Sequence, residues 1–230
     1  MQYGSGCIAA VIVAAGNASR MNGIDKQKAM VGGIPVLARA AMAFENCAET
    51  DRIVVVCRAG EKAEIAKLMQ GWGIKKLHAV AEGGETRQAS VFKGILACGE
   101  AEYYAIHDGA RPLVSGKVIC TCIQNAKKYK AATAGVKVKD TIKIVDSSGF
   151  IKTTPNRSEL YITQTPQIFE AKLYLQAMDN ALVENKDYTD DCQLVESIGH
   201  KVFMSPSDYT NIKITTPEDL KIAEALLKLD

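Results

Sequence analysis

Four segments carry residue types that could do chemistry together. In "VIVAAGNASRMNGIDKQKAMVGG", residues 11–33, an apolar run ends at Gly16. A turn of small polar residues follows, and two isolated cations, Arg20 and Lys26, stand just beyond it. The loop is neither GxGxxG nor GxxxxGK[ST]. A turn of glycine and small residues lets backbone N–H groups approach an anion. Two cations over the same few ångströms suit a polyphosphate better than a single phosphate. In phosphoryl or nucleotidyl transfer such fixed cations stabilise charge on the oxygens around phosphorus. The same residues read equally well as a plain connection with solvated basic side chains.

The second segment is "EGGETRQASVFKGI", residues 82–95, where Gly83 and Gly84 form a tight turn and Thr86, Arg87 and Ser90 bring polar groups to a helix start. Alone, it reads best as a strand–helix connection. The third is "IHDGARPLVS", residues 106–115. Asp108 at a strand's carboxyl end could hold Mg²⁺ or a ribose hydroxyl, or cap a turn beside Arg111. His107 reads as a packed, hydrogen-bonded histidine with no catalytic role. The fourth set comprises Arg157, "QTPQIF" (164–169), "YTDDCQLVE" (188–196) and "NIKIT" (211–215). Asp190 and Asp191 could bind metal, but after Thr189 an acidic pair more often opens a helix, where the macrodipole favours carboxylates. Lys213 lies in an apolar stretch and needs a partner, which an anionic ligand would supply.

These segments need a frame that brings them together. Short apolar runs at residues 8–14, 52–57, 77–81, 103–106 and 132–138 predict strands covered on both faces. Helical patterns at 35–45, 61–70, 85–98 and 115–130 lie between or after them. In the last, Val118, Ile119, Cys122, Ile123 and Ala126 share one face and Ser115 is an N-cap. This alternation predicts a mostly parallel, twisted sheet with helices on both faces. Ligands of such sheets bind at the carboxyl ends of the strands.

After Val138 the pattern changes. "KDTIKIVDSSGFIKTTPNRS" alternates polar and apolar residues around Ser147-Ser148-Gly149 and reads as a β-hairpin. A hairpin so poor in large apolar residues is marginal alone, so it packs on something, a second copy of the chain being one option. Helices follow at 170–184 and 189–198, and a short strand at 201–204. "NIKITTPEDL" runs from a strand into a helix with Thr216 as N-cap, Pro217 at the first helical position and Asp219 in the first turn. The expectation is one domain over 1–230 with a projecting arm at about 138–158.

Composition narrows the classes. Of 230 residues, 47% are apolar and 23% charged, and the net charge of +2 argues against nucleic acid as a bulk partner. The seven cysteines are odd in number and lack C-x-x-C, which suggests reduced thiols in a cytoplasmic protein. The histidines, 78, 107 and 200, are too scattered for a zinc site. No apolar run approaches the ~18 residues of a membrane span. The apolar N-terminus lacks a basic start and reads as a buried strand, not a signal peptide.

Taken in order, "GGETRQASV", "HDGARP", "KDTIK", "QTPQIF", "TDD" and "NIKIT" resemble the 2-C-methyl-D-erythritol 4-phosphate cytidylyltransferases of the non-mevalonate isoprenoid pathway, over about residues 9–226. The resemblance implies a Rossmann-like nucleotidyltransferase fold, transfer of CMP from CTP to the substrate's phosphate, release of pyrophosphate, a need for Mg²⁺ and a homodimer. It implies that Ala14, Ala15 and Gly16 begin the CTP loop. Arg20 and Lys26 would grip the triphosphate, and Gly84, Glu85 and Ser90 would face the cytosine. Asp108 would sit near the ribose, the metal and the second substrate. Thr141, Arg157 and Lys213, with Thr165 and Thr189, would hold the polyol phosphate. Arg157 and Thr141 lie in or beside the hairpin, which in this family reaches across the dimer.

The chain departs from the family at several points. Its opening loop is "AAGNASRM" where AAGxGxRM is usual, placing Ala18 at the second glycine. Asp25 stands where Pro usually precedes the lysine, and the segment is one residue short, so Lys26 and Lys28 compete for that role. Gln27 after Lys26 matches the family's Lys-Gln pair. Tyr161 replaces a common Trp, and Lys137 a usual Pro. A ribitol-5-phosphate cytidylyltransferase, or a non-catalytic nucleotide-binding relative, are the other readings.

Overall fold

Apolar runs and amphipathic stretches alternate through an α/β structure, a computed structural model that describes residues 6–16, 21 and 23–228. Strand β1 (Ile8–Val13) leads to a small hairpin, β2 (Met30–Val31) and β3 (Ile34–Pro35), and then helix α1 (Val36–Glu45). Next come β4 (Arg52–Cys57), α2 (Lys62–Gly71), β5 (Leu77–Glu82), α3 (Arg87–Cys98), β6 (Tyr103–Asp108), α4 (Gly116–Tyr129) and β7 (Ala131–Lys137). A second hairpin holds β8 (Ile144–Val145) and β9 (Ile151–Thr153). It is followed by β10 (Tyr161–Glu170), α5 (Ala171–Glu184), α6 (Asp191–Glu196), β11 (Phe203–Pro206) and α7 (Pro217–Leu226).

Seven strands form one sheet in the order β11-β7-β10-β6-β1-β4-β5. Every neighbouring pair is parallel except β10, which runs antiparallel to both β6 and β7. Side chains alternate across the sheet, which explains the continuous apolar runs. From β1, Ile8, Ala10 and Ile12 pack with α1, α2 and α4, while Ala9 and Val11 pack with α3, α5 and α6. Ile53 and Val55 of β4 face the first set, and Val54 and Val56 the second. On that second face α3 comes close enough that a Cβ on Gly94 would lie 2.5 Å from Val11 Cγ1.

The helix signals hold. The Ser115 hydroxyl accepts from Val118 N–H, and Thr216 with Asp219 forms a capping box ahead of Pro217. Asp190 caps α6 by accepting from Gln193 N–H, and Asp191 is the first residue of that helix. The acidic pair therefore opens a helix, as its position after Thr189 suggests.

Two expectations need correction. Residues 211–215, expected as a strand, form none. Their polar groups are met one by one: Ile214 N–H donates to the Ala110 carbonyl at 2.8 Å, and the Asn211 carbonyl accepts from Arg111 at 2.8 Å. Conversely, β10 is a strand that the pattern does not announce. Its first three residues are exposed, and the ladder to β7 shifts between Thr163 and Gln167 around Pro166, which has no N–H to give.

The second hairpin contrasts with this packing. Residues 139–154 are exposed throughout. Its turn is closed locally by the Asp146 carboxylate, which accepts from Ser148 N–H at 2.9 Å and Phe150 N–H at 3.0 Å. Gly149 takes a φ of 88°, a left-handed conformation that explains glycine there.

Candidate functional site

The carboxyl ends of β1, β4, β5 and β6 surround a polar cleft of about 440 Å³. Ala15 and Gly16 contribute from the loop after β1, Gly83, Gly84 and Glu85 from the loop after β5, and Ser90 from α3. Lys26, Arg58, Arg87, Asp108 and Lys213 bring the charges. Ala14 lies beneath the wall, buried, its N–H donating to the Val56 carbonyl at 2.7 Å. Arg20 belongs to the segment 17–20, outside the described residues.

The glycines after β5 are there for close approach. A Cβ on Gly83 would collide with the Ala15 side chain, and one on Gly84 would lie 2.5 Å from Ala89 Cβ. The turn is locked by Ser90, whose hydroxyl accepts from Gly84 N–H at 3.0 Å and donates to the Thr86 carbonyl at 2.9 Å. The backbone at Gly83–Gly84 is thus held in place, packed against Ala15 and Ala89 where a larger residue would not fit.

The two lysines of "DKQK" have different fates. Lys26 lines the cleft. Lys28 is turned to an acidic cluster, with its ammonium 2.7 Å from Glu64, 3.5 Å from Asp25 and 3.7 Å from Glu61. The Glu64 hydrogen bond raises the Lys28 pKa above the usual lysine value.

Asp108 is the electrostatic centre of the floor. It is 8% exposed, and its carboxylate lies 2.8 Å from Lys213 Nζ, 3.6 Å from Arg111 Nε and 3.7 Å from Arg87 Nε. Burial pushes its pKa up, but Lys213, then Arg87 and Arg111, override that and hold the carboxyl well below its ordinary range. Arg87 also reaches buried Asp191 at 2.7 Å, and the Tyr174 hydroxyl donates to the other Asp191 oxygen at 2.6 Å. For Arg87, burial works against the charge, while Asp191 and then Asp108 more than restore it.

Beneath Asp108 a hydrogen-bond chain defines one histidine tautomer. The Arg111 carbonyl can only accept, so His107 Nε2, 3.2 Å away, carries the proton. His107 Nδ1 then accepts from the Thr165 hydroxyl at 3.0 Å, and the Thr165 oxygen accepts from Asp108 N–H at 3.0 Å. Burial drives the His107 pKa down to about 4, with the Asp108 charge opposing. His107 is a neutral, fully enclosed strut. Lys213 is delivered by the irregular 211–215 segment, which Asn211 anchors by donating to the Thr165 carbonyl at 2.9 Å and to Gln164 Oε1 at 3.0 Å.

Other expected site residues lie elsewhere. Thr141 and Arg157 are exposed with the hairpin, and Arg157 donates to the Lys139 carbonyl at 2.8 Å. Thr189 is exposed, its hydroxyl donating to Gln193 Oε1 at 3.2 Å. None of the three lines the cleft of its own chain. Thr165 is buried behind Asp108. Arg58, given no role from sequence, is part of the wall with Gln27 and with Arg87, one of the polar groups expected at the start of α3. Arg58 could have been found, since it follows an apolar strand at the same edge as Asp108.

Among the described residues, no group of three or more His, Cys, Asp or Glu side chains is arranged to hold a metal ion. Mg²⁺ is usually held by one or two carboxylates together with substrate phosphates. Asp108 is the carboxylate of the cleft floor, with Arg87 beside one oxygen and Lys213 and Arg111 beside the other.

A mostly parallel sheet whose strand ends gather glycine turns, fixed ammonium groups and a buried carboxylate is the architecture of a nucleotidyltransferase. The family model for 2-C-methyl-D-erythritol 4-phosphate cytidylyltransferase matches residues 8–229. A relative of that name from Clostridium novyi (strain NT) is 42% identical over 221 residues, covering 95% of this chain and 96% of its own. Another, from Caldanaerobacter subterraneus subsp. tengcongensis, is 44% identical over 225 residues, covering 96% and 99%. The solved 4-diphosphocytidyl-2C-methyl-D-erythritol synthase of Anaerococcus prevotii DSM 20548 superposes with a TM-score of 0.86 at 33% identity, covering 96% of both chains. The chain belongs to the 2-C-methyl-D-erythritol 4-phosphate cytidylyltransferase family.

Proposed function

We propose that this chain transfers CMP from CTP to 2-C-methyl-D-erythritol 4-phosphate, giving 4-diphosphocytidyl-2-C-methyl-D-erythritol and pyrophosphate. A phosphate oxygen of the polyol phosphate attacks the α-phosphorus in line. The bond from the α-phosphorus to the bridging oxygen breaks, and pyrophosphate leaves with that electron pair. The attacking phosphate is already ionised near neutral pH, so no general base is needed, in keeping with the sealed, neutral His107.

The observation that carries this reading is the meeting of Lys26, Lys213 and Asp108 with the Gly83–Gly84–Ser90 turn in one cleft. Ala15 and Gly16, after buried Ala14, offer the close approach a triphosphate requires. Lys26, with Arg20, grips its phosphates. Gly84, Glu85 and Ser90 read cytosine, and a site built to pair its amino group rejects uracil because the wrong base leaves polar groups unpaired. Asp108 takes the ribose side and Mg²⁺, which when bound neutralises charge on the phosphates. Lys213 holds the second anion, and Thr165 keeps Asp108 in place. Two polyanions repel, and the cations lower that cost as well as the barrier.

The protein acts as one domain and as a homodimer whose arm, at about 138–158, brings Thr141 and Arg157 to the partner's cleft, with Thr189 at the polyol phosphate. Support comes from the hairpin's exposed Ile142, Ile144, Val145, Phe150 and Ile151, which have no core of their own. A cytoplasmic location agrees with seven free cysteines. Among the described residues no helix is long and apolar enough to cross a membrane. The test of substrate is pyrophosphate release from CTP and Mg²⁺ with two acceptors in parallel. Turnover with methylerythritol phosphate and little with ribitol 5-phosphate is expected; the reverse preference overturns the assignment.

A further inference from the structure

We propose that the Asp25–Arg58 ion pair positions Lys26, so that both are positioning residues for the transfer, the rate effects below resting on the function just proposed. The turn that carries Lys26 closes on Asp25. The Asp25 carbonyl accepts from Lys28 N–H at 3.1 Å and Ala29 N–H at 2.9 Å, and its carboxylate accepts from Gln27 N–H at 3.1 Å. The second carboxylate oxygen meets an Arg58 terminal nitrogen at 2.5 Å. Arg58 stands just past β4 and is itself fixed by Glu61, at 3.0 Å from Nε and 2.9 Å from the same terminal nitrogen. It is a strut between the Lys26 turn and the β4–α2 connection.

The other side of Lys26 is tied as firmly. Gln27 is 5% exposed; its side-chain amide donates to the Ala14 carbonyl at 3.3 Å, and its own carbonyl accepts from Leu37 N–H at 3.1 Å. The residues flanking Lys26 are therefore attached to three separate parts of the frame: β1, the start of α1 and, through Arg58, the end of β4. Lys26, between these anchored residues, lines the cleft.

Charge gives a second reason for the pair. A bare carboxylate beside an arriving triphosphate would repel it, and Arg58, together with Lys28 at 3.5 Å, offsets that field. Arg58 borders the cleft, but its Nε and one terminal nitrogen are committed to carboxylates. Its contribution is to hold the turn and offset the Asp25 charge, with no direct bond to the phosphates. A displacement of about 1 Å in a reacting constellation can cost on the order of a hundredfold in rate.

The test uses the full chain with Asp25→Asn, Arg58→Gln, their combination and Arg58→Lys. Each of the first two should lower kcat about tenfold while KM for CTP moves less than about twofold. The double variant should be no slower than the slower single, and Arg58→Lys should keep more rate than Arg58→Gln. Amide hydrogen exchange at residues 27–29 should quicken in Asp25→Asn while α3 stays protected, a readout that needs no turnover. Losses that multiply in the double variant overturn the proposal, as does unchanged exchange. So does a raised KM for CTP in Arg58→Gln together with a lowered one in Asp25→Asn, which would make Arg58 a phosphate ligand. A wild-type chain that is inactive but shows the expected exchange pattern would sink the proposed reaction and leave the clasp standing.

Discussion

The floor of the cleft and the second hairpin are built on opposite principles. At the floor, Asp108 is buried among Lys213, Arg87 and Arg111, and each of those cations has a further backbone or carboxylate anchor or a place on the wall. The site exists before any ligand arrives. In the hairpin, residues 139–154 are all exposed and the bonds that shape the turn are internal to it. Yet the hairpin region carries Thr141 and Arg157, two groups expected at the second substrate. The cleft half of the proposed site is pre-organised by the fold. The hairpin half is exposed, and in the proposed dimer it would be ordered by packing on the partner.

The sharpest way to probe the pre-organised half is Lys26, on the cleft wall. Lys26→Ala should lower kcat on the order of 10²- to 10³-fold, with the denaturation midpoint unchanged, because the side chain lines a solvated cleft. Lys28→Ala should leave turnover near wild type, since that ammonium serves Glu64, Glu61 and Asp25. A dead Lys28→Ala beside an active Lys26→Ala would exchange their roles.

Next in size is Arg87→Met, which leaves Asp191, at 2% exposure, without its ion partner. Urea denaturation should show a loss of about 3 kcal/mol. An equivalent substitution in the hairpin, Arg157→Met, should cost under about 0.5 kcal/mol, as surface positions do. Equal costs would erase the contrast between the two regions.

A smaller effect comes from pH. His107 titrates near 4 when folded, below the unfolded histidine value. Its contribution to stability is complete above about pH 6.5 and shrinks as pH falls toward 4, because the unfolded chain takes the proton first. Between pH 7 and pH 5 the metal-free protein should lose about 2 kcal/mol from this group. In His107→Gln that part of the slope should vanish, read by urea denaturation at the two pH values.

The sequence shows why some of this was legible. The parallel strands β1, β4 and β6 are continuous apolar runs because both faces are covered, and Ser115, Thr216 and Asp190 cap their helices with their own side chains. Those signals are local. Strand β10 was hidden because its exposed start and Pro166 break any simple alternation. The 211–215 stretch looked like a strand because it is apolar, but its hydrogen bonds go to Ala110 and Arg111, about a hundred residues away along the chain. Motif order brought Asp108 and Lys213 to one site, and Arg58 was within reach as the residue directly after the apolar strand β4, but its pairing with Asp25 was not, since 33 residues separate the two. The hairpin's role is the least legible, since residues 139–154 are all exposed in the single chain.

Mixing two crippled variants tests most directly whether cleft and hairpin from different subunits make one site. Lys26→Ala and Arg157→Ala, each nearly inactive alone, are unfolded, mixed in equal amounts and refolded, and pyrophosphate release is measured. Half the dimers would then be mixed, each with one intact site, so about a quarter of wild-type activity should return. A mixture no more active than its components would place both residues in the same subunit's site and contradict the account.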